Sequence, residues 1–177
     1  MKGIEREVSR QGKERIWHLS MKIARYVPIP LRRLLFKRVH KQFGGSLRFI
    51  VSGGAALNPD LGDKWSLLGI KVIQAYGATE ASPAISSHTL ARPRFDSVGR
   101  PLPWVEVKVS EEGEILLKGP NITPGYWEDP ENTAAVFEDG WYKTGDQGYL
   151  DQEGYLHLQV RKKDMIVLPS GQNVFPD

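Results

Sequence analysis

A strand, a glycine turn, a capped helix and a second strand follow one another between Leu47 and Ile73. No other stretch constrains the chain as much. Leu47-Arg48-Phe49-Ile50-Val51 has the apolar, β-branched character of a strand and opens into Ser52-Gly53-Gly54-Ala55-Ala56. Asn58 then supplies an N-cap and Pro59 a first helical residue for a helix running to about Leu68. Ile70-Lys71-Val72-Ile73 reads as a buried strand. Such a βαβ connection predicts parallel strands whose following loops lie at one edge of the sheet. That edge is where open α/β sheets take their ligands.

The second of those loops is Gln74-Ala75-Tyr76-Gly77-Ala78-Thr79-Glu80. It offers an aromatic face, a glycine that lets a ligand approach the backbone, a hydroxyl and a carboxylate. Together these can hold a nucleotide, with the ring against Tyr76, a phosphate at Thr79 and Mg²⁺ through Glu80. The plainer alternative is a strand that ends in a turn and a capped helix, since Thr-Glu begins helices well. Gly53-Gly54 likewise makes either a tight turn or a slot the thickness of a flat base. The dinucleotide glycine fingerprint and the Walker lysine loop are both missing from the sequence, which disfavours a Rossmann dehydrogenase and a P-loop NTPase.

Twelve of the chain's 24 Lys and Arg lie in residues 1–45 against three acids, a net +9 that leaves −6 for the remainder. Residues 3–27 are expected as one helix, with Ile16, Leu19, Ile23 and Val27 on a common face. Pro28-Ile29-Pro30 breaks it, and a second helix is expected from Leu31 to Phe43, stopped by Gly44-Gly45. A basic amphipathic pair can lie on an anionic membrane as a peripheral contact; two surface helices with solvated basic faces are the bland counterpart. Nucleic acid is not expected, because the aromatic-glycine pattern of an RNA-binding sheet is missing. With no cysteine in the 177 residues, a disulfide framework and a thiolate zinc site are excluded. No apolar run reaches transmembrane length, and a cytoplasmic location is the expectation.

From Ser97 the texture changes to short alternating strands. Val105–Val109 pairs with Glu114–Lys118, and Trp141–Leu150 with Tyr155–Val160, across turn-rich tetrapeptides. The pattern predicts a small β-barrel or a strongly bent sheet. Within it stands Gly140-Trp141-Tyr142-Lys143-Thr144-Gly145-Asp146. A carboxylate after a glycine can accept both hydroxyls of a ribose, although a turn aspartate satisfied by its own backbone is the commoner fate.

These stretches, with Gly119-Pro120-Asn121-Ile122-Thr123-Pro124-Gly125-Tyr126-Trp127 and Arg161-Lys162-Lys163-Asp164, occur in an order that resembles the AMP-forming adenylate synthetase superfamily. The basic lead-in ending Lys41-Gln42-Phe43-Gly44-Gly45 is most similar to its long-chain fatty acyl-CoA synthetase branch. The resemblance implies an α/β-plus-β fold, part of a large N-terminal domain. Residues 1–45 would be a basic helical segment, 46–97 an α/β segment with the adenine and Mg-ATP loops, 98–160 a β-barrel, and 161–177 a hinge with the first strand of a further domain.

It also implies a reaction in which a fatty acid is activated by Mg-ATP as acyl-adenylate and transferred to coenzyme A. Gly53, Gly54, Ala55, Tyr76 and Gly77 would frame the adenine, Thr79 touch phosphate and Glu80 hold Mg²⁺. Asp146 and Arg161 would hold the ribose, and Lys163 would mark the pivot between half-reactions. Three departures qualify the resemblance. The family's glycine-rich phosphate loop and its distal catalytic lysine do not occur in these residues, and Val160 stands where a glycine usually precedes the arginine. The expectation is therefore an internal fragment, missing upstream and downstream parts of its parent and inactive alone. Two alternatives are a truncated nucleotide- or partner-binding paralogue and a peptide-synthetase adenylation domain.

Overall fold

A computed structural model describes residues 1–55, 57–91, 93–161, 166–167 and 173–174, with side chains described through residue 159. Two compact units emerge, residues 1–74 with 90–95, and residues 75–89 with 96–177.

The first unit begins with α1 (Lys2–Arg10) and α2 (Glu14–Ala24), where the apolar spacing predicts a single helix. The break is a helix-ending motif of two reversed bonds. The Gly12 N–H donates to the Ser9 carbonyl at 2.9 Å and the Lys13 N–H to the Val8 carbonyl at 3.1 Å. Gly12 takes φ +63°, a left-handed conformation that a side chain would resist. The second expected helix is also divided, into α3 (Ile29–Leu35) and α4 (Lys37–Gln42), around Phe36 at φ −103°, ψ 28°. That bend turns Phe36 inward, where its ring meets Trp17 edge-on at 5.5 Å. Phe36, Ala24 and Leu68 form the buried centre of the unit, with Ile4, Met21, Val39 and Trp65 packed around them.

After these helices come β1 (Phe49–Ser52), α5 (Pro59–Leu67) and β2 (Lys71–Gly77). Asn58 caps α5, its side chain accepting from the Leu61 N–H, and Pro59 occupies the first helical turn as expected. β1 and β2 are parallel, in register from Phe49 opposite Lys71 to Ser52 opposite Gln74, as the connection rule requires. Polar ties bind the basic helices to this βαβ segment. Arg33 donates to the carbonyls of Leu47 (2.9 Å) and Gly45 (3.3 Å), Arg32 to those of Val27 (2.7 Å) and Ser66 (3.2 Å). The buried His40 donates from Nε2 to the Leu68 carbonyl at 2.8 Å. Two arginines of the basic helices thus hold backbone carbonyls while staying partly exposed.

In the second unit the last residues of β2 pair antiparallel with β3 (Ala84–Ser87), and β3 with β4 (Arg100–Pro101). The strands β5 (Glu106–Val109), β6 (Glu114–Lys118), β7 (Phe137–Glu138), β8 (Trp141–Leu150) and β9 (Leu156–Arg161) form a second sheet, with α6 (Pro130–Val136) before β7. Its order is β5-β6-β8-β7 with β9 also on β8, and every pairing is antiparallel. The expected barrel is thus an open sheet: among the described residues no pairing joins its edges. β8 is the reason. Ten residues long, it is bulged near Gly145-Asp146 and takes β6 and β7 along its start and β9 along its end. The sheet buries Val105, Ile115, Leu117, Tyr142 and Leu156 against Tyr76, Ala81, Ile85 and Val98. Farther on, β10 (Ile166–Val167) pairs antiparallel with β11 (Asn173–Val174).

Candidate functional site

Tyr76, Gly77, Thr79, Glu80 and Asp146 all belong to the second unit. Tyr76 and Asp146, 70 residues apart, are joined directly: the phenol donates to Asp146 Oδ2 across 2.5 Å, and both residues are more than nine-tenths buried. A phenol donating to a carboxylate in a sheltered place is a strong, charge-assisted bond. The backbone around Asp146 is held from several directions. Its N–H donates to Thr144 Oγ1 at 3.0 Å, Thr144 Oγ1 donates to the Ile115 carbonyl at 2.8 Å, and the Gly145 N–H donates to Glu114 Oε1 at 2.9 Å. Gly145-Asp146 is therefore no surface turn. It lies inside β8, with Gly145 at φ +72° forming the bulge that aims the carboxylate inward.

Gly77 follows Tyr76 at the end of β2. A Cβ there would collide with the carbonyl of Pro83, so the glycine admits the chain's own backbone at the β2–β3 bulge. Thr79 opens a short 3₁₀ turn, Thr79–Ala81, with its side chain exposed. Glu80 is half-buried within that turn, and Tyr126 donates its phenol proton to Glu80 Oε1 at 2.9 Å. Tyr142 lies close by. Its phenol is pushed well above the usual tyrosine range, first by burial and then by the negative charge of Glu80 and by Tyr126. The Tyr126 phenol is raised as well, chiefly because its proton is held by Glu80.

The backbone of the same turn is gripped from the 119–127 loop. The Thr123 N–H donates to the Glu80 carbonyl at 2.8 Å, and Asn121 Nδ2 donates to the carbonyls of Ala81 (2.7 Å) and Ala84 (3.3 Å). The sequence contains these residues within a recognisable stretch, yet nothing in their spacing announces contact with a turn some 40 positions earlier. Tyr126, Tyr142, Asn121 and Thr123 are the site residues that sequence reasoning leaves without a role.

The remaining expected residues lie elsewhere along the chain. Gly53, Gly54 and Ala55 sit exposed after β1 in the first unit, with Gly54 at φ +81°. Arg161 ends β9 with its backbone in register opposite Asp146. Lys163 lies outside the described residues.

Among the described residues no group of three or more acids or histidines is arranged to hold a metal ion. A single half-buried carboxylate such as Glu80 fits a metal that arrives on phosphates, since Mg²⁺ is commonly held through one or two carboxylates plus its substrate's oxygens.

Residues 6–127 match the AMP-binding enzyme family. A long-chain-fatty-acid–CoA ligase of Mycobacterium bovis is 35% identical over 144 residues, 81% of this chain and 24% of that protein. A 2-succinylbenzoate–CoA ligase of Listeria innocua is 39% identical over 148 residues, 80% of this chain and 32% of that protein. The chain thus spans between a quarter and a third of the length of these relatives. Among solved structures, O-succinylbenzoate coenzyme A synthetase from Bacillus subtilis in complex with ATP and magnesium ion superimposes with a TM-score of 0.66 at 30% identity. The match covers 81% of this chain and 33% of that one. With motif order, mixed α/β architecture and family match in agreement, the chain belongs to the AMP-binding enzyme family of adenylate-forming proteins.

Proposed function

We propose that this chain supplies the nucleoside- and metal-facing part of an AMP-forming acyl-CoA synthetase whose acid substrate is a long-chain fatty acid. The buried Tyr76–Asp146 pair carries the reading. A carboxylate buried inside a strand and held by a phenol marks a place where its direction matters, because taking a charge from water is costly. In the reaction, a fatty-acid carboxylate oxygen attacks the α-phosphate of Mg-ATP, forming the acyl-adenylate and releasing pyrophosphate. The coenzyme A thiolate then attacks the acyl carbonyl, forming the thioester and releasing AMP.

Asp146 accepts hydrogen bonds from the ribose hydroxyls while Tyr76 fixes its orientation and lends its ring to the adenine. Gly53, Gly54 and Ala55 border the base, and Arg161 assists at the ribose. Thr79 donates to phosphate, Glu80 takes one position on the magnesium, and Lys163 lies at the pivot. Relatives that act on a fatty acid and on succinylbenzoate are about equally similar, so the acyl preference draws on the basic, aromatic lead-in of residues 1–45. A cytoplasmic setting, with residues 1–45 near the membrane that holds such acids, belongs to the same proposal.

The test is Asp146→Ala in the complete protein, measured by palmitate-dependent ATP–pyrophosphate exchange. With each charge-assisted bond worth about 1.5–3 kcal/mol at best, and water replacing part of what is lost, a fall of roughly tenfold to a thousandfold in kcat/KM for ATP is expected. An unchanged value would remove Asp146 from the nucleotide site. The 177-residue chain alone, without a glycine-rich phosphate loop, is expected to show no exchange.

A further inference from the structure

We propose that Tyr126, backed by Tyr142, is a positioning residue for the Glu80 carboxylate, so that the 119–127 loop sets the aim of the group facing the metal of Mg-ATP. The inference rests on the reading of Glu80 given above. A glutamate has three rotatable side-chain bonds, and at a half-buried position most of its rotamers remain open to it. One carboxylate that must meet a small cation demanding near-ideal geometry gains from being held in a single pose.

Both ends of Glu80 are held here. At the backbone, the Thr123 N–H takes its carbonyl at 2.8 Å, while Asn121 Nδ2 takes the Ala81 carbonyl, the next along the turn, at 2.7 Å. At the head group, the Tyr126 phenol donates to Oε1 at 2.9 Å. A phenol on one edge of a carboxylate restricts rotation of the whole group and fixes where its other edge points.

The loop can do this because it is itself anchored. The Tyr126 N–H donates to Thr133 Oγ1 at 2.9 Å, and that hydroxyl donates to the Asp129 carbonyl at 2.7 Å. Gly125 lies at φ +152°, where a Cβ would press on Thr133 Cγ2 at 2.6 Å. Tyr142 comes from β8, the strand that also carries Asp146, and its ring is 5% exposed. The group assigned to the metal and the group assigned to the ribose are thus steadied by residues of one packed framework.

The test uses the complete protein with Glu80→Gln, Tyr126→Phe, the double variant and Tyr142→Phe. The primary readout is Mn²⁺ binding in the presence of ATP and without acyl substrate, followed by electron paramagnetic resonance. The second is the Mg²⁺ concentration giving half-maximal palmitate-dependent pyrophosphate exchange. Tyr126→Phe is expected to weaken Mn²⁺ binding and raise the Mg²⁺ requirement by roughly threefold to tenfold, less than the full worth of one charge-assisted bond because Glu80 itself remains, and to change the rate at saturating Mg²⁺ less than the Mg²⁺ requirement. In the Glu80→Gln background the same substitution should add nothing, because the group it positions has already changed.

An equal factor in both backgrounds, or no shift where Glu80→Gln does shift, overturns the positioning role and leaves Glu80 as metal ligand. No shift with Glu80→Gln itself overturns both together. Tyr142→Phe should move both readouts in the same direction by a smaller factor. It decides the matter if Tyr126→Phe fails to fold: a shift supports the proposal and its absence overturns it.

Discussion

The two units hold themselves together by different means. In the sheet unit Ile115, Leu117 and Leu156 are fully buried, one continuous apolar cluster beneath alternating strands. In the helical unit Ala24, Leu68 and Ile70 are fully buried and Phe36 and Val72 nearly so, yet Ile16 stands 65% exposed, Leu19 59% and Leu34 67%. A hollow of about 210 Å³, lined by Ile4, Val8, Trp17 and Val39 among others, lies between its helices. Arg32, Arg33 and His40 add polar ties there by donating to the carbonyls of Ser66, Leu47 and Leu68. The contrast teaches where precision is built. Asp146, Tyr76 and Glu80 are mounted on the unit whose packing is dense enough to fix side chains, as a preorganised site requires.

The sharpest way to break this comparison is Leu117→Ala. Emptying a fully buried leucine position is expected to destabilise the sheet unit by about 2–5 kcal/mol, lowering its denaturant midpoint and speeding amide exchange in β6 and β8. A loss as small as that of a surface change would show the sheet core to be loosely packed. Next comes Arg33→Ala, which removes the donor to the Leu47 and Gly45 carbonyls. A loss of about 1.5–3 kcal/mol in the helical unit is expected, since the bonds involve a charged donor and are in part buried. Arg33→Lys, lacking the planar fork, should recover only a fraction.

Gly12→Ala follows, forcing a side chain into the left-handed conformation at the end of α1. It should cost about 1–2 kcal/mol, and circular dichroism would report whether α1 and α2 instead fuse into the single helix that the apolar spacing suggests. Smallest is Leu19→Ala, expected within about 0.5 kcal/mol because the side chain is mostly exposed. If Leu19→Ala matched Leu117→Ala, the apolar face of α2 would be covered in solution and the comparison would fail.

The helical segment shows how a legible signal is misread. Ile16, Leu19 and Ile23 do share a face of α2, yet the same periodicity extended across Gln11-Gly12-Lys13 and missed the stop. The glycine was in plain view. Apolar spacing reports which face a helix would bury and says little about where it ends, which capping bonds decide. Arg32 and Arg33 show the related limit: a sequence shows their charge, whereas the carbonyls of Ser66 and Leu47 come within reach only after the chain has folded back.

The residues alone determined what depends on near neighbours. The parallel β1–α5–β2 unit, its Asn58 cap and four strands of the second sheet, β5, β6, β8 and β9, are local patterns, and each is found close to where periodicity and turn chemistry put it. Tertiary structure decided which of those patterns touch. It joined Tyr76 to Asp146 across 70 positions and Glu80 to Tyr126 across 46, left the second sheet open, and gave Gly77 to the Pro83 carbonyl. Such contacts follow from strand register and bulge placement, and a shift of one residue in β8 would turn Asp146 to the opposite face without changing a letter of the motif.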